Sequence, residues 1–404
     1  MAPYESDDST SAGEAEDVRA GRRKAARYVV PVAVMGVAAA TIGLVPALAD
    51  SGDPDLPKIS AQQLIEKIAE SDVEQLSGTV KISTDLGLPD LGGLGSSFAS
   101  GAVQGGEDGS SADPSSKLME LASGTHTLRV AADGPDRTKV SLLDSAAEYS
   151  LIHNGTDVWG YDSASNEVYH STVPKSEEGG KAAPEGVPAT PKELTDEALK
   201  AVDDTTSVTV DGTAQVAGRD AYKLLIKPKQ SGSTIGAITV AVDSKTGLPL
   251  KFTLTPASGG AAVVDAGFTK VDFSKPAAST FDFTPPKGAK VTEGDAAQAP
   301  ETSRKSDEAL GEGLEGLEGL KTIGEGWNAI AQFDTGGEGV PSGSSGNSDV
   351  DGFLDSLGDQ VSGKFGSGTV FSTRLVNALI TDDGKVYAGA VTKDALVKAA
   401  NAAQ

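Results

Sequence analysis

The chain has 404 residues, and its 58 Asp and Glu outweigh 34 Lys and Arg for a formal net charge of −24. That balance argues against nucleic-acid binding, which needs clustered cations, and against broad adhesion to an anionic membrane surface. Cys is absent, which excludes disulfides, Cys-ligated zinc, iron–sulfur clusters, thiol nucleophiles and a Cys-borne lipid anchor. Length alone indicates two or three domains. The 49 Gly, 20 Pro and 5% aromatic content indicate less folded mass, because long tracts lack the apolar area needed to offset ordering entropy.

Residues 1–27 read as a polar tail, acidic up to Asp17 and then basic through Arg19, Arg22, Arg23, Lys24 and Arg27. Tyr28–Ala49 runs uncharged and mostly apolar, long enough for a helix of roughly 20 residues to cross a hydrocarbon core. The basic flank places residues 1–27 in the cytoplasm and residues 50–404 outside. Ala47-Leu48-Ala49 has the small-x-small form of a secretory cleavage site. Two readings therefore stand for 28–49: a transmembrane anchor, or a signal peptide cleaved after Ala49.

Past a Pro-containing tether, Ser60-Ala-Gln-Gln63 is a capping box, and Ile59 and Leu64 stand at hydrophobic-staple positions. The spacing of Leu64, Ile65 and Ile68 predicts a helix to about Ser71, with one apolar face. Thr79–Ser83 alternates as a strand, and Gly87–Ser116 reads as a flexible Gly/Ser insertion. His126–Ala131, Val140–Leu142, Tyr149–His153, Asp157–Tyr161 and Glu167–His170 then predict an antiparallel meander, with Asn154-Gly155 as a hairpin turn. Pro191–Ala201 reads as a short helix.

Strands resume at Ser207–Val210, Thr213–Val216, Tyr222–Ile226, Ile238–Val242, Lys251–Leu254, Val263–Phe273 and Phe281–Phe283. So many short strands between Gly, Asn and Asp turns indicate an antiparallel sheet curling toward a barrel, with helices packed on it. The expected fold class is α+β: a curved antiparallel sheet forming a half-open β-barrel lidded by helices. Residues 60–291 make this domain, 292–366 read as Gly/Ser/Glu-rich linker, and 367–404 as a hairpin–helix unit with an Asp382-Asp383-Gly384 turn and Thr392 as helix cap. A lone hairpin is not stable in water, so this unit is expected to extend the main sheet or cover its mouth.

Several elements together resemble the LolA family of periplasmic lipoprotein carriers and related extracytoplasmic proteins of actinobacteria. They are the helix entering Leu76-Ser-Gly-Thr-Val80, Asn154-Gly-x-x-x-Trp159-x-Tyr161-Asp162, Val216-Ala-Gly-Arg219-Asp-Ala-Tyr222, Val242-Asp243-x-x-Thr246-Gly247-Leu248-Pro249-Leu250, and Phe281-Asp-Phe-Thr-Pro285-Pro286. The Asp-x-x-Thr-Gly-Leu-Pro-Leu element is the most specific of these. The resemblance implies an apolar half-barrel cavity for lipid or lipoprotein acyl chains, without catalysis or cofactor. Through the RseB group it also implies an alternative: a sensor of envelope stress that binds a membrane regulator protein. Lipid-binding proteins of the LppX and LprG type share the implied fold. The chain departs from the pattern in its missing lipid-bearing Cys, its Gly/Ser insertion and its C-terminal unit.

No catalytic or metal motif competes. His126, His153 and His170 each lack a second ligand at suitable spacing, and the sequence contains no Gly-x-Ser-x-Gly, Ser-x-x-Lys or His-Glu-x-x-His. Trp159, Tyr161, Val240, Phe252 and Leu254 are the candidate cavity-wall residues. The competing reading is that they fill an ordinary closed core. The expected setting is extracytoplasmic: anchored to the cell membrane through 28–49, or secreted after cleavage.

Overall fold

A computed structural model describes residues 53–87, 110–114, 117, 121, 123–173, 190–294, 321–334 and 358–403. The N-terminal tail and the anchor or signal segment lie outside the described residues, as do most of the Gly/Ser insertion and the Gly-Leu-Glu tract. Among the described residues no helix is long and apolar enough to cross a membrane.

The first helix, α1 (Ala61–Ala69), starts where the capping box places it. Gln63 N–H donates to the Ser60 hydroxyl at 3.2 Å, and Ser60 N–H donates to the Gln63 side chain at 3.0 Å. Six strands of the meander follow: β1 (Gln75–Thr84), β2 (Gly124–Asp133), β3 (Arg137–Leu143), β4 (Glu148–Asn154), β5 (Asp157–Asp162) and β6 (Glu167–Thr172). Helix α2 (Pro191–Lys200) has its own capping box, Thr190 with Glu193. Then come β7 (Thr206–Val216), β8 (Arg219–Pro228), β9 (Ile235–Asp243), β10 (Pro249–Pro256), β11 (Val264–Asp272) and β12 (Lys290–Glu293).

These twelve strands form one curved, unclosed sheet in the order β12-β6-β5-β4-β3-β2-β1-β11-β10-β9-β8-β7. The two segments expected as Ser207–Val210 and Thr213–Val216 are a single strand, bulged between Val210 and Thr213. At one end β7 returns toward β11, where the Arg219 guanidinium lies 4.5 Å over the Phe273 ring.

Two expectations are corrected here. Phe281–Phe283 is not a strand; it follows a single 3-10 turn, Ala278–Thr280, and belongs to a strap that leaves the end of β11 and crosses the sheet. Lys275 reaches Asp133 at 3.5 Å, and the Asn154 side chain donates to the Phe281 carbonyl at 3.3 Å. The strap delivers the chain to the far edge, where β12 pairs with β6 in parallel. A crossover connection of this kind is what parallel pairing requires.

The stretch 292–366 is also more than linker. It contributes β13 (Lys321–Ile323), β14 (Ile330–Asp334) and β15 (Gly358–Gly363). With β16 (Gly366–Ser372), β17 (Asn377–Thr381) and β18 (Lys385–Gly389) they make a second, six-stranded sheet. Helix α3 (Lys393–Ala402) supplies Leu396, Ala399 and Ala400 to a core shared with Leu379 and Tyr387. Thr392 stands at its N-cap but makes no side-chain cap bond. The unit does not extend the main sheet by a strand. It joins the loop before β9 through one bridge, Ser233 to Val391, and Arg374 joins it to Asp85 at 2.5 Å.

Two of the resemblance motifs, Val216–Tyr222 and Val242–Leu250, meet at one joint against α1. Asp243 accepts from Thr246 N–H at 2.7 Å, Lys245 N–H at 3.0 Å and the Thr246 hydroxyl at 2.9 Å. Arg219 donates to it twice, at 2.5 and 3.0 Å. The turn ends at Gly247, φ +77°, whose missing Cβ would collide with the Lys67 carbonyl of α1. Gly218 also has positive φ, +75°, but open space beside it. Gly218→Ala should therefore cost only backbone strain, about 1 kcal/mol. Gly247→Ala adds a backbone collision and should cost at least about 2 kcal/mol more, read as the difference between urea midpoints.

Candidate functional site

Strand alternation gives the large sheet two faces, and register decides which residues share one. Val80 pairs with Leu128 and Phe268. Phe252 pairs with Ala266 and Val240, and Val240 with Leu224. This inner face is apolar from β8 to β4. Over β7–β11 it is covered by α1 and α2, whose Leu64, Ile68 and Ala198 share one core with Val240, Phe252 and Leu254. Leu194 of α2 also reaches the neighbouring cluster of Leu128, Val130, Leu142 and Tyr149.

The candidate wall residues divide between the faces. Val240, Phe252 and Leu254 sit on the inner face, only 0%, 3% and 9% exposed, in contact with the lid helices. Trp159 and Tyr161 sit on the outer face: Trp159 is the cross-strand partner of Ile152, and Tyr161 that of Val168. There Phe283 of the strap packs on both rings, at centroid distances of 5.5 and 5.7 Å. Trp159 also stacks on His170 at 3.8 Å.

Sequence reasoning missed the lid over the other half of the inner face. Residues 110–114, expected as the tail of a flexible insertion, are docked on β4–β6. Glu167 accepts from the Ser111 N–H and hydroxyl, both at 2.8 Å, and from the Ser110 hydroxyl at 3.2 Å. The Tyr149 hydroxyl donates to the Ala112 carbonyl at 3.2 Å. Gly160 has no side chain where that carbonyl comes down on β5. Leu121 completes the cover over Leu128 and Leu142. Val140 and Leu151 remain half-buried against this cluster. The inner face is thus an apolar floor under three separate covers among the described residues: α1, α2, and residues 110–114 with Leu121. Among the described residues, no group of His, Asp and Glu is placed to hold a metal.

His170 lies on the outer face between two carboxylates. Its Nε2 is 3.0 Å from Asp157 and its Nδ1 2.7 Å from Glu293 of β12. Burial opposes the imidazolium, but the two carboxylates outweigh it and hold its pKa above the usual 6.5. The raised value means that the stabilisation is full below pH 6.5 and is lost as pH rises through the folded value. The His170 ring resonances should therefore titrate with a midpoint above 6.5 in NMR, and Glu293→Gln should lower that midpoint.

The hydrogen bonds from Ser111, with help from Lys290, hold Glu167 at about 2. The sign is opposite: docking of 110–114 is complete above the ordinary glutamate range and lost as pH falls toward 2. Glu167→Gln at neutral pH should speed exchange of the Ser111 amide by about tenfold or more. Unchanged exchange would show that the segment is held by other contacts.

No protein-family model matches the chain, and no curated protein matches it. Solved structures do. They include the Pseudomonas aeruginosa MucA/MucB complex, at 14% identity and TM-score 0.36, covering 84% of this chain and 96% of that one. A LolA superfamily protein from Nitrosomonas europaea matches at 11% identity and TM-score 0.22, covering 56% and 99%. A putative outer-membrane lipoprotein-sorting protein domain from Vibrio parahaemolyticus matches at 11% identity and TM-score 0.20, covering 53% and 91%.

Proposed function

We propose that this protein is an extracytoplasmic, LolA-like binder or carrier of acyl chains, taken up on the inner face of the large sheet without catalysis. The observation that carries the reading is the cover. The apolar floor is closed by two short helices and a docked loop, not by a second sheet, so it can be exposed piecemeal without breaking strand pairing. Each methylene transferred from water contributes about 0.8 kcal/mol, so a ten-carbon tail gains several kcal/mol even after displacing cover residues. In this reading a chain enters beside the half-buried Val140 and Leu151, next to Leu121.

A second reading has its own support. Over β7–β11 the floor is already filled by Leu64, Ile68 and Ala198. A face that stays filled favours a non-enzymatic regulator that binds a membrane partner protein.

Native mass spectrometry of residues 50–404, purified from an envelope-containing host, separates the two. A bound mass that extracts into organic solvent supports the carrier. Leu151→Glu should then reduce uptake of a fluorescent fatty acid at least tenfold while leaving the thermal midpoint within a few degrees. An empty protein that also refuses the fatty acid would sink the carrier reading and leave the regulator.

A further inference from the structure

The outer face of strands β11, β1, β2 and β3 carries a groove of about 370 Å³. Its floor is made of small side chains. On one rung Lys270, Thr79, Arg129 and Ser141 stand side by side; on the next stand Asp272, Ser77, Ala131 and Lys139. Thr79, Ser77 and Ala131 leave a trough that the long Arg129, Lys139 and Lys270 rim. Thr280 of the strap lines it as well.

The charges are not balanced within the groove. Glu148 is engaged by the Ser150 hydroxyl at 3.0 Å, and Ser150 in turn bonds the buried Ser141 at 2.8 Å. Asp272 accepts from Ser274 N–H at 2.7 Å. Arg129 is only loosely paired, 4.0 Å from Glu148. Neither Lys139 nor Lys270 makes a direct ion pair among the described residues, although Lys270 lies close enough to Asp272 to help lower its pKa and Lys139 is half-buried. The Lys139 stem lies along the sheet while the ammonium stays at the groove rim. Arg129 and Lys139 are diagonal neighbours, about 7 to 8 Å apart at the backbone. Lys270 lies two strands from Arg129, about 10 Å. Three long cations can thus converge on one anionic group, while floor hydroxyls and the two carboxylates serve neighbouring hydroxyls.

We infer that this groove binds the phosphate ester of a small polyol, with Arg129, Lys139 and Lys270 on the phosphate and Ser77, Thr79 and Thr280 on the polyol. The site is independent of whatever occupies the inner face, because a whole sheet separates the two. It stands against the global charge, since the outer face of these strands is locally basic in an acidic chain.

The test is an NMR titration of residues 50–404 with glycerol 3-phosphate, with glycerol alone, and with vesicles of phosphatidylglycerol in phosphatidylcholine against phosphatidylcholine alone. Saturable shifts of the Thr79, Arg129 and Ala131 amides with glycerol 3-phosphate, absent with glycerol, identify a free ligand. A response only to phosphatidylglycerol vesicles identifies a lipid headgroup. In either case the double variant Lys139→Glu/Lys270→Glu should weaken binding at least tenfold, and Lys227→Glu, on the same face outside the groove, should not. Binding should also weaken with added salt. No saturable response to either probe up to roughly 10 mM, a range that would catch even weak sites, overturns the inference. Binding that survives the double variant overturns it too.

Discussion

The carboxylate of Asp243 is the point on which the β7–β11 end of the large sheet turns. Its side chain is 1% exposed, and it is held by three donors from its own turn and two from Arg219. Burial works against the charge, but Arg219 and Thr246 outweigh it and keep the pKa below the usual aspartate value. The joint fixes the β9–β10 turn, ties it to the β7–β8 hairpin through Arg219, and seats Gly247 against the carbonyl of Lys67 in α1. Removing Arg219 would leave the carboxylate with its three turn donors. Removing Asp243 would leave a guanidinium that is 26% exposed and stacked on Phe273. Either loss therefore costs less than the ~3 to 5 kcal/mol of a fully buried pair. The seating of the C-terminal end of α1 against the β9–β10 turn depends on this arrangement.

The same joint shows what was legible in the sequence. The Asp-x-x-Thr-Gly spacing and the Ser60–Gln63 capping box specify local geometry through backbone hydrogen bonds or positive φ, and both fold as read. The hairpin expected at Asn154-Gly155 forms one residue later, with Asn154 paired to Asp157 and Gly155-Thr156 as its loop. Strand alternation likewise located β1 to β11. The Thr190–Glu193 box was present in the sequence by the same rule and went unread. What alternation cannot supply is a common face for strands far apart in the chain. Parity within β5 puts Trp159 and Tyr161 together, and parity within β9 and β10 joins Val240 to Phe252. Only the register through β4, β3, β2, β1 and β11 shows that the two sets point opposite ways.

The strap and the cover formed by residues 110–114 were hidden for a different reason. Phe281-Asp-Phe alternates like a strand, yet it joins no sheet: Phe281 is buried, and the partly buried Phe283 packs on Trp159 and Tyr161. The chain simply crosses there, and Pro285 and Pro286 remove donors a ladder would need. Ser110–Ala112 has no pattern at all. Its order comes from Glu167, Tyr149 and a glycine on β5, three residues distant in sequence. Gly358–Gly363 is also weak by propensity, and becomes a strand because β16 offers it a complete edge.

The net charge of −24 describes the chain, not the field at any one face. On the outer face one rung runs Lys223, Ala241, Lys251, Gly267, Lys81 and Thr127 across six strands. Cations alternate with small residues, so each long stem lies down over a neighbour that leaves it room. Gly267 does this for Lys251, whose Cγ would be 3.1 Å from any added Cβ. Lys251 is paired with Asp265 at 2.9 Å, and spacing the ammonium groups about 10 Å apart puts them near the screening length of physiological salt, so the row tolerates its remaining repulsion. An inner face of the same strands is apolar and closed by helices. One layer of backbone therefore separates two unlike chemistries, and a site on either face is set by its own residues, not by the charge of the whole.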